Sequence, residues 1–461
     1  MIFFCFFLSF FLATSVDAAE SITLKQAELL AIENNEGLKA LRADVEAGRQ
    51  QYLQSVSGYL PSVAIEGKIA RAEEPAFYGE KQAHSEKLGV SQAILFSDVY
   101  YGIKKKKLNF EALQVKERKK RNSLLFQLRK AYYLVILFKD EVEVQRENTG
   151  VLLEALRREQ NELLLGESTS FEVNQSKVIL TNAMSALYES EKDLKIARNK
   201  LMRLLGVSSE REVELSEVCI PVESVQEIKE KLSLFKTFKE KEKGEKGLLD
   251  FEAFLKGGQS RFQAGRDIYS KEEIDFWEKL SVKNRFDIHL KKMEKRSAFE
   301  YLKEKRAEYL PKVSAFASYE TISSKQRPLL GGYDNWHFGL QFSWSLFDGF
   351  ARERRICEAR CFLNSLEWEH QSLVESAKME VRNEICEMEE ALLSYYATHE
   401  TMSLAKEAIE QAKAKRYVGS ITFLEYRDVL SSYKESKQNF NRAAYRLLIS
   451  YYALRYLAGL E

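Results

Sequence analysis

The stretch YLPSV at residues 59–63 returns as YLPKV at residues 309–313, 250 positions later. A second stretch, ILFSD at residues 94–98, returns as SLFDG at residues 345–349, 251 positions later. The two matches keep the same order and nearly the same offset, which indicates that one structural unit occurs twice in the chain.

Two further matches extend this repeat toward the end of each copy. Residues 166–173, GESTSFEV, correspond to residues 419–426, GSITFLEY, at an offset of 253. Residues 204–207, LLGV, correspond to residues 457–460, LAGL, at the same offset. So small a drift over four matches predicts a large duplicated unit and not a short solenoid repeat.

The repeat divides the chain into four parts. We predict a signal peptide at residues 1–18, a first copy at 19–207, a connecting segment at 208–280 and a second copy at 281–461. The connecting segment contains Pro221 and a run of charged residues, and the first copy has nothing like it.

The first 18 residues have the pattern of a secretory signal peptide. Residues 2–13 are apolar except for Ser9, and Val16 and Ala18 are the small residues expected before a cleavage site. The apolar run is shorter than the ~20 residues that a helix needs to cross a bilayer. We therefore predict an exported protein without a membrane-spanning helix.

Composition argues against two broad classes of protein. The chain has 461 residues with 70 Lys and Arg against 69 Asp and Glu, so no excess of positive charge favours a nucleic acid partner. Charged residues make up 30% of the chain, too many for a bundle of membrane-spanning helices. The presence of only five prolines favours long helices.

In the first copy, a helix and two strands precede the long helices. Helical spacing of apolar residues predicts a helix over 22–57, which Pro61 stops. Alternation of apolar and polar residues predicts strands over 63–70 and 88–96, joined by a loop at 71–86. The side chains predicted on the apolar face of the second strand are Leu88, Val90, Ile94 and Phe96.

The second copy repeats this order. A predicted helix over 282–309 ends at Pro311, and alternation predicts strands over 313–320 and 336–346 around a loop at 321–335. The large side chains on one face of the last strand are Trp336, Phe338, Leu340, Phe342, Trp344 and Leu346.

Pairs of long helices fill the rest of each copy. Residues 100–165 contain no proline and would extend roughly 100 Å as one helix. Gly166 then turns the chain into a second helix over 171–205, and residues 351–417 and 423–457 repeat the pair. Helices of this length must pack against other long helices, in the same chain or in another copy.

The four strands pose a problem of closure. Their length and their apolar–polar alternation are typical of outer-membrane barrel strands. A soluble sheet with one face on a core is the alternative interpretation. If the strands span lipid, four are too few to close a barrel, and open edges are not tolerated in hydrocarbon. The barrel would then be shared among identical subunits.

The cysteines allow two interpretations. Cys5 lies in the predicted signal peptide, and Cys219, Cys357, Cys361 and Cys386 remain. Cys357 and Cys361 are four residues apart on a predicted helix, so an oxidising compartment would permit a disulfide. The interpretation we favour is that these cysteines are small apolar residues in helix packing.

Several motifs occur in the order of a known family. They are the duplicated YLP before a strand at 59–61 and 309–311, the LFS and LFD motifs at 95–97 and 346–348, and NRFDI at 284–288. The last resembles the family's Asn-Arg-Pro-Asp-Leu, with Phe where proline is usual. Over essentially its whole mature length, the chain resembles the TolC-like outer membrane efflux proteins.

This resemblance implies a mainly α fold with a small β part. It implies a homotrimer in the outer membrane, in which four strands per subunit form a twelve-stranded β-barrel continuous with a periplasmic α-barrel. Such a channel is the exit of a tripartite efflux or type I secretion system, and works with a periplasmic adaptor and an inner-membrane transporter. It carries out no reaction and needs no cofactor or metal.

The resemblance also suggests functional residues at the hairpin tips. In the family, acidic residues line a constriction near these turns, and the matching positions here are Glu425, Asp428 and Glu172. Gly166 and Gly419 mark the tips, where the family docks its adaptor. Pro61 and Pro311 mark the starts of the first and third strands.

Two features of the sequence allow more than one interpretation. Ile421 stands where well-known members of the family have an arginine that helps to hold the closed state, and Arg416 is a candidate substitute. The basic run at 104–107 would lie near the inner-leaflet phosphates, or would form an ordinary solvated helix face.

The sequence lacks the motifs of an enzyme. It has no phosphate-binding loop, no nucleophile elbow and no paired histidines at metal-binding spacing. The alternative to a channel is therefore structural: a periplasmic coiled-coil spacer or an adhesin-like envelope protein whose short sheet is soluble.

Overall fold

The computed structural model describes residues 22–71, 82–95, 97–166, 169–207, 215, 271–323, 333–418 and 420–460. The predicted signal peptide, Cys219, most of the predicted connecting segment and Gly419 lie outside these residues.

The first copy has two short helices, two strands and two long helices. These elements are α1 (Leu24–Asn34), α2 (Glu36–Val56), β1 (Ser62–Arg71), β2 (Gln82–Leu95), α3 (Ser97–Leu164) and α4 (Ser170–Leu205).

The second copy has the same elements in the same order. They are α5 (Lys271–Asn284), α6 (Phe286–Ala307), β3 (Lys312–Ser323), β4 (Tyr333–Ser343), α7 (Ala351–Tyr417) and α8 (Phe423–Leu457). The fold class predicted from the sequence, mainly α with a small β part, is confirmed.

The single helix predicted before the first strand is instead two helices. Asn35 has extended backbone angles, with φ −60° and ψ 117°, and separates α1 from α2. Its side-chain Nδ2 donates a hydrogen bond to the backbone oxygen of Leu204 at 3.3 Å, which holds the break against the end of α4. In the second copy, Arg285 has similar angles and separates α5 from α6.

The four strands form one antiparallel sheet in the order β1-β2-β3-β4. β2 begins at Gln82, so part of the loop predicted at 71–86 is strand and pairs with β1. Two rows of apolar residues cross the sheet, and their members are Ile65, Leu88, Tyr319 and Trp336 in one row and Val63, Val90, Ala317 and Phe338 in the next.

A bulge in β2 corrects one prediction about its faces. Ala93 pairs with Ser314 and Leu95 pairs with Val313, so Ile94 has no partner in β3. The extra residue reverses the alternation beyond it. Leu95, and not Ile94, therefore occupies the register position opposite Val313.

The chain forms two compact units. The hairpin unit comprises the described residues of Met1–Asn35, Leu124–Gln259 and Glu387–Tyr452, and the sheet unit those of Glu36–Ser123, Ser260–Cys386 and Ala453–Glu461. The hairpin unit has a core of its own, which includes Leu128, Tyr132, Ile136, Leu447 and Leu448. The core of the sheet unit includes Leu38, Leu41, Leu302, Val381 and Ile385.

Candidate functional site

The tips of the two helical hairpins carry the residues that the sequence singles out. At the first tip, α3 ends at Leu164 and Gly166 has a φ of +79°, which allows the chain to reverse. Thr169 then caps α4. The backbone N–H of Thr169 donates to Glu172 Oε2 at 2.9 Å, and the N–H of Glu172 donates to Thr169 Oγ1 at 3.3 Å.

The second tip has the same cap. The backbone N–H of Thr422 donates to Glu425 Oε2 at 2.8 Å, and the N–H of Glu425 donates to Thr422 Oγ1 at 3.2 Å. These reciprocal bonds satisfy two donors at the start of α8 that would otherwise lack a partner. Gly419, the predicted turn residue, lies outside the described part of the chain.

Glu172 and Glu425 therefore cap helices α4 and α8, a role that was not predicted for them. The hydrogen bond from the Thr422 backbone holds the pKa of Glu425 below its usual range, so this carboxylate stays charged near neutral pH. The spacing Thr-x-x-Glu at both tips is the sequence signature of a capping box, so this role was visible in the sequence.

Asp428 differs from both glutamates. Its side chain is 69% exposed and makes no cap. Its Oδ1 lies 2.7 Å from Nη2 of the adjacent Arg427, which partly balances its charge. Gln175 occupies the corresponding position in the first copy, so Asp428 is an acidic side chain present at one tip alone.

An apolar cluster holds the second tip together. Tyr426 is buried against Ile409 and Ala412, and Ile421 and Val151 are among the partly buried residues around it. Burial raises the pKa of the Tyr426 hydroxyl. Ile421, the position that the resemblance associates with a latch arginine, is therefore part of this apolar packing.

Arg416 lies at the same turn. Its Nη1 donates to the backbone oxygen of Ile421 at 3.4 Å, so it bridges the end of α7 and the approach to α8. This contact is within one hairpin.

The first tip is held mainly by packing between its own two helices. The buried residues shared by α3 and α4 are Leu152, Leu156, Val173, Leu180 and Ala183. The hydroxyl of Ser176 also donates to the carboxylate of Glu159 across the hairpin.

At the sheet, Pro61 and Pro311 each lie one residue before a strand. β1 and β3 begin at one end of the sheet, and β2 and β4 finish at that same end, because neighbouring strands are antiparallel. The long helices α3 and α7 follow β2 and β4 there. This junction end of the sheet is rich in exposed large apolar side chains, which are Leu60, Tyr309, Leu310, Trp344, Leu346, Phe347 and Phe350.

The described cysteines form no disulfide. Cys357, Cys361 and Cys386 are free thiols on exposed positions of α7. The disulfide considered between Cys357 and Cys361 is therefore not formed in this structure. The favoured interpretation, that these cysteines are small apolar residues in helix packing, is wrong for these three because all are exposed.

Within the described residues, no helix has an apolar stretch long enough to cross a membrane.

Solved structures with the same fold are available for comparison. The chain matches CusC with a TM-score of 0.74 and 16% identity, over 95% of this chain and 92% of CusC. It matches a membrane protein from Pseudomonas aeruginosa with a TM-score of 0.73 and 19% identity, over 96% and 93% of the two chains. It matches the CmeC outer membrane channel of Campylobacter jejuni with a TM-score of 0.74 and 16% identity, over 95% and 85%.

The sequence matches none of the curated proteins with which it was compared. A family model described as outer membrane efflux protein matches residues 29–207 and 278–460. These segments fall within the two copies of the repeat, apart from three residues before the second, and make up most of the chain. The resemblance to TolC-like proteins is confirmed. The chain belongs to the outer membrane efflux protein family.

Proposed function

We propose that this chain is one subunit of a trimeric exit channel in the outer membrane. Substrates would pass from an inner-membrane transporter and a periplasmic adaptor through the channel to the outside, in a tripartite efflux or type I secretion system. CmeC, which has the same fold, is an outer membrane channel. Three features of the described residues support the proposal.

The observation that carries it is the exposure of the sheet's apolar face. Ile65 is 81% exposed, Phe338 is 85% exposed and Leu340 is 69% exposed. A soluble sheet buries such a face on a core, and large exposed apolar patches mark interaction surfaces. Lipid hydrocarbon is the environment in which this face costs least free energy. The exposure disfavours the alternative of a soluble spacer or adhesin.

The edges of the sheet require partner strands. β1 and β4 are the two outer strands, and they run in opposite directions because they are first and fourth in an antiparallel order. β1 of one copy can therefore pair antiparallel with β4 of the next. Repetition of this contact closes a barrel and removes edges that hydrocarbon does not tolerate.

The helices also expose large apolar side chains that a neighbouring copy would cover. In the hairpin unit, the exposed apolar side chains of α4 are Phe171, Val178, Met184, Tyr188 and Ile196. In the sheet unit, those of α7 are Phe362, Trp368 and Met379. Long helices with exposed apolar side chains are stabilised when other long helices cover those side chains.

The tips would then form the periplasmic end of the channel. We propose that Asp428 lines the constriction, with Glu425 and Glu172 near it, and that the turns at Gly166 and Gly419 dock the adaptor. Several copies of an exposed carboxylate around a pore attract cations and disfavour anions. Glu425 and Glu172 are held in their caps, whereas Asp428 pairs with the adjacent Arg427 outside any cap. Asp428 is therefore the carboxylate that we expect to meet the substrate.

An arginine scan of β4 tests the membrane role of the sheet. Leu340→Arg places a charge on the proposed lipid face, whereas Gln341→Arg places the same charge on the opposite face of the same strand. We expect Leu340→Arg to abolish stable membrane assembly and Gln341→Arg to retain it, measured by flotation with membranes. Equal flotation of both variants and the unmodified protein would contradict the proposal.

A further inference from the structure

In each copy of the repeat, an aromatic residue and a basic residue four positions later lie close to the junction end of the sheet. In the first copy these are Tyr100 and Lys104 on α3, and in the second they are Phe350 and Arg354 at the start of α7. Tyr100 and Lys104 lie four positions apart on α3 and therefore on the same face of that helix. Phe350 precedes α7, and its carbonyl oxygen accepts a hydrogen bond from the backbone N–H of Arg354 at 3.2 Å. All four side chains are exposed.

The first pair is in direct contact. The Nζ of Lys104 lies 4.3 Å from the centroid of the Tyr100 ring. A hydrogen bond with the Tyr100 side chain raises the pKa of Lys104, and Glu300 attracts the ammonium more weakly. The amine therefore stays charged. In the described part of the chain, neither Lys104 nor Arg354 has an acidic group within ion-pair distance.

The second pair is presented by an unusual backbone. Phe350 has a φ of +66°, and Gly349 just before it has a φ of +69°. A bulky residue in this left-handed region is strained, and such strain is concentrated at functional positions. The conformation leaves the Phe350 ring 64% exposed, where it packs edge-on against the exposed Phe347 with 5.5 Å between ring centroids.

The neighbouring cations at this junction are arranged differently. Arg352 is buried and donates to the backbone oxygen of Leu346 at 3.0 Å, and Arg355 binds Asp348 and Glu308. Both arginines are therefore bonded to groups at the junction itself. Lys104 and Arg354 are exposed and can bind a ligand that approaches from outside the chain.

We propose that Tyr100 with Lys104, and Phe350 with Arg354, bind anionic phospholipids of the periplasmic leaflet. Aromatic rings favour the boundary between hydrocarbon and headgroups, and basic side chains just beyond it attract headgroup phosphates. The ring would lie against the glycerol and upper acyl region while the cation meets the phosphate. This inference rests on the proposed insertion of the sheet into the membrane.

Lipid retention tests this site. The protein would be inserted into vesicles of phosphatidylcholine alone or mixed with phosphatidylglycerol, extracted into detergent, and analysed by native mass spectrometry for bound lipid. We expect the unmodified protein to retain phosphatidylglycerol in preference to phosphatidylcholine. In Lys104→Gln/Arg354→Gln, we expect phosphatidylglycerol binding to weaken about five-fold for each cation removed.

The matched control is Lys406→Gln/Lys413→Gln. It removes the same charge from exposed positions of α7 that lie roughly 80 Å farther along the helix. We expect it to retain lipid like the unmodified protein. Equal phosphatidylglycerol retention in the two double variants would overturn the proposal.

Two further arms identify the ligand. Tyr100→Ser/Phe350→Ser should reduce retention of both lipids, because the rings contact the part of the molecule that the lipids share. Inorganic phosphate added in detergent should not displace phosphatidylglycerol, and complete displacement would overturn the lipid assignment in favour of a simple anion site. Failure of the unmodified protein to float with either vesicle would instead contradict the proposed function.

Discussion

Gly459, just after α8, lies against the backbone of Asn284 at the end of α5. A Cβ on Gly459 would come within 2.7 Å of the Asn284 carbonyl oxygen, and the φ of Gly459 is +69°. Gly206 lies against Asn34 in the same way in the first copy, with a φ of +68° and the same distance of 2.7 Å. The duplicated sequence thus forms the same tight contact in each unit.

Replacing either glycine should therefore destabilise the unit that contains it. We expect Gly206→Ala and Gly459→Ala each to lower the free energy of unfolding by about 1–3 kcal/mol from backbone strain alone, and further through displacement of the Asn carbonyl. Denaturant unfolding followed by circular dichroism measures this.

Gly150, inside α3, is the matched control for these glycine variants. A Cβ there meets nothing within 4 Å. Gly150→Ala should be neutral or stabilise the helix by about 0.5–1 kcal/mol. If Gly206→Ala and Gly459→Ala behaved like Gly150→Ala, the close approach to the Asn carbonyls would be without energetic consequence.

The cap at the second tip should make the stability of α8 depend on pH. The pKa of Glu425 is lower in the folded chain than its usual value, so the cap stabilises the fold above the unfolded pKa of about 4.3. This contribution is lost as pH falls through the lower folded pKa. The protection of amides at the start of α8, which is the intrinsic exchange rate at each pH divided by the observed rate, should decrease over this acidic range.

Glu425→Gln should remove this pH dependence, because its amide does not titrate, while retaining an oxygen that can accept the Thr422 hydrogen bond. Thr422→Ala removes the other half of the cap and should cost about 0.5–2 kcal/mol at any pH. If amide protection at the start of α8 depended on pH in Glu425→Gln as it does in the unmodified protein, another titrating group would be responsible.

Asp428 should influence ion passage more than Glu425 does. Both carboxylates are exposed, but that of Glu425 is held by the Thr422 backbone, whereas that of Asp428 pairs with the side chain of the adjacent Arg427. We expect Asp428→Asn to shift the reversal potential in a planar bilayer toward lower cation preference, with a smaller shift for Glu425→Gln. A larger effect from Glu425→Gln, or none from Asp428→Asn, would remove Asp428 from the constriction.

Tyr426 should control how firmly the second tip is packed. Tyr426→Ala removes the central ring of the cluster with Ile409 and Ala412, and comparable truncations in cores cost about 3–5 kcal/mol. We expect faster hydrogen exchange at residues 409–433 and a higher basal conductance. Tyr426→Phe keeps the ring and should change both only slightly. Similar exchange in the Ala and Phe variants would contradict this role.

The repeat, the strands and the long helices could be predicted from the sequence because their periodicity is local. The helix breaks at Asn35 and Arg285 could not be predicted, because helical spacing of apolar residues continues on both sides of each break. The break at Asn35 is held by a hydrogen bond to Leu204, which is distant in sequence. The start of β2 was placed too late because the residues from Gln82 to Lys87 lack apolar alternation.

The candidate site was predictable only in part. The turn at Gly166 and the acidic residues near both tips follow from sequence position. The hydrogen bonds that distinguish the capped Glu425 from Asp428 depend on local geometry, although the Thr-x-x-Glu spacing predicts the caps. The burial of Tyr426 depends on contacts across its own hairpin with Ile409 and Ala412 and on packing near Val151 of α3, and no local pattern indicates it.

The native mass of the detergent-extracted particle, together with its low-resolution image, bears most directly on the proposed channel. We expect a mass of three processed chains and a long tube with three-fold symmetry, obtained only after detergent extraction of the outer membrane. A particle with the mass of one chain, or one released from membranes by salt alone, would contradict the proposed channel.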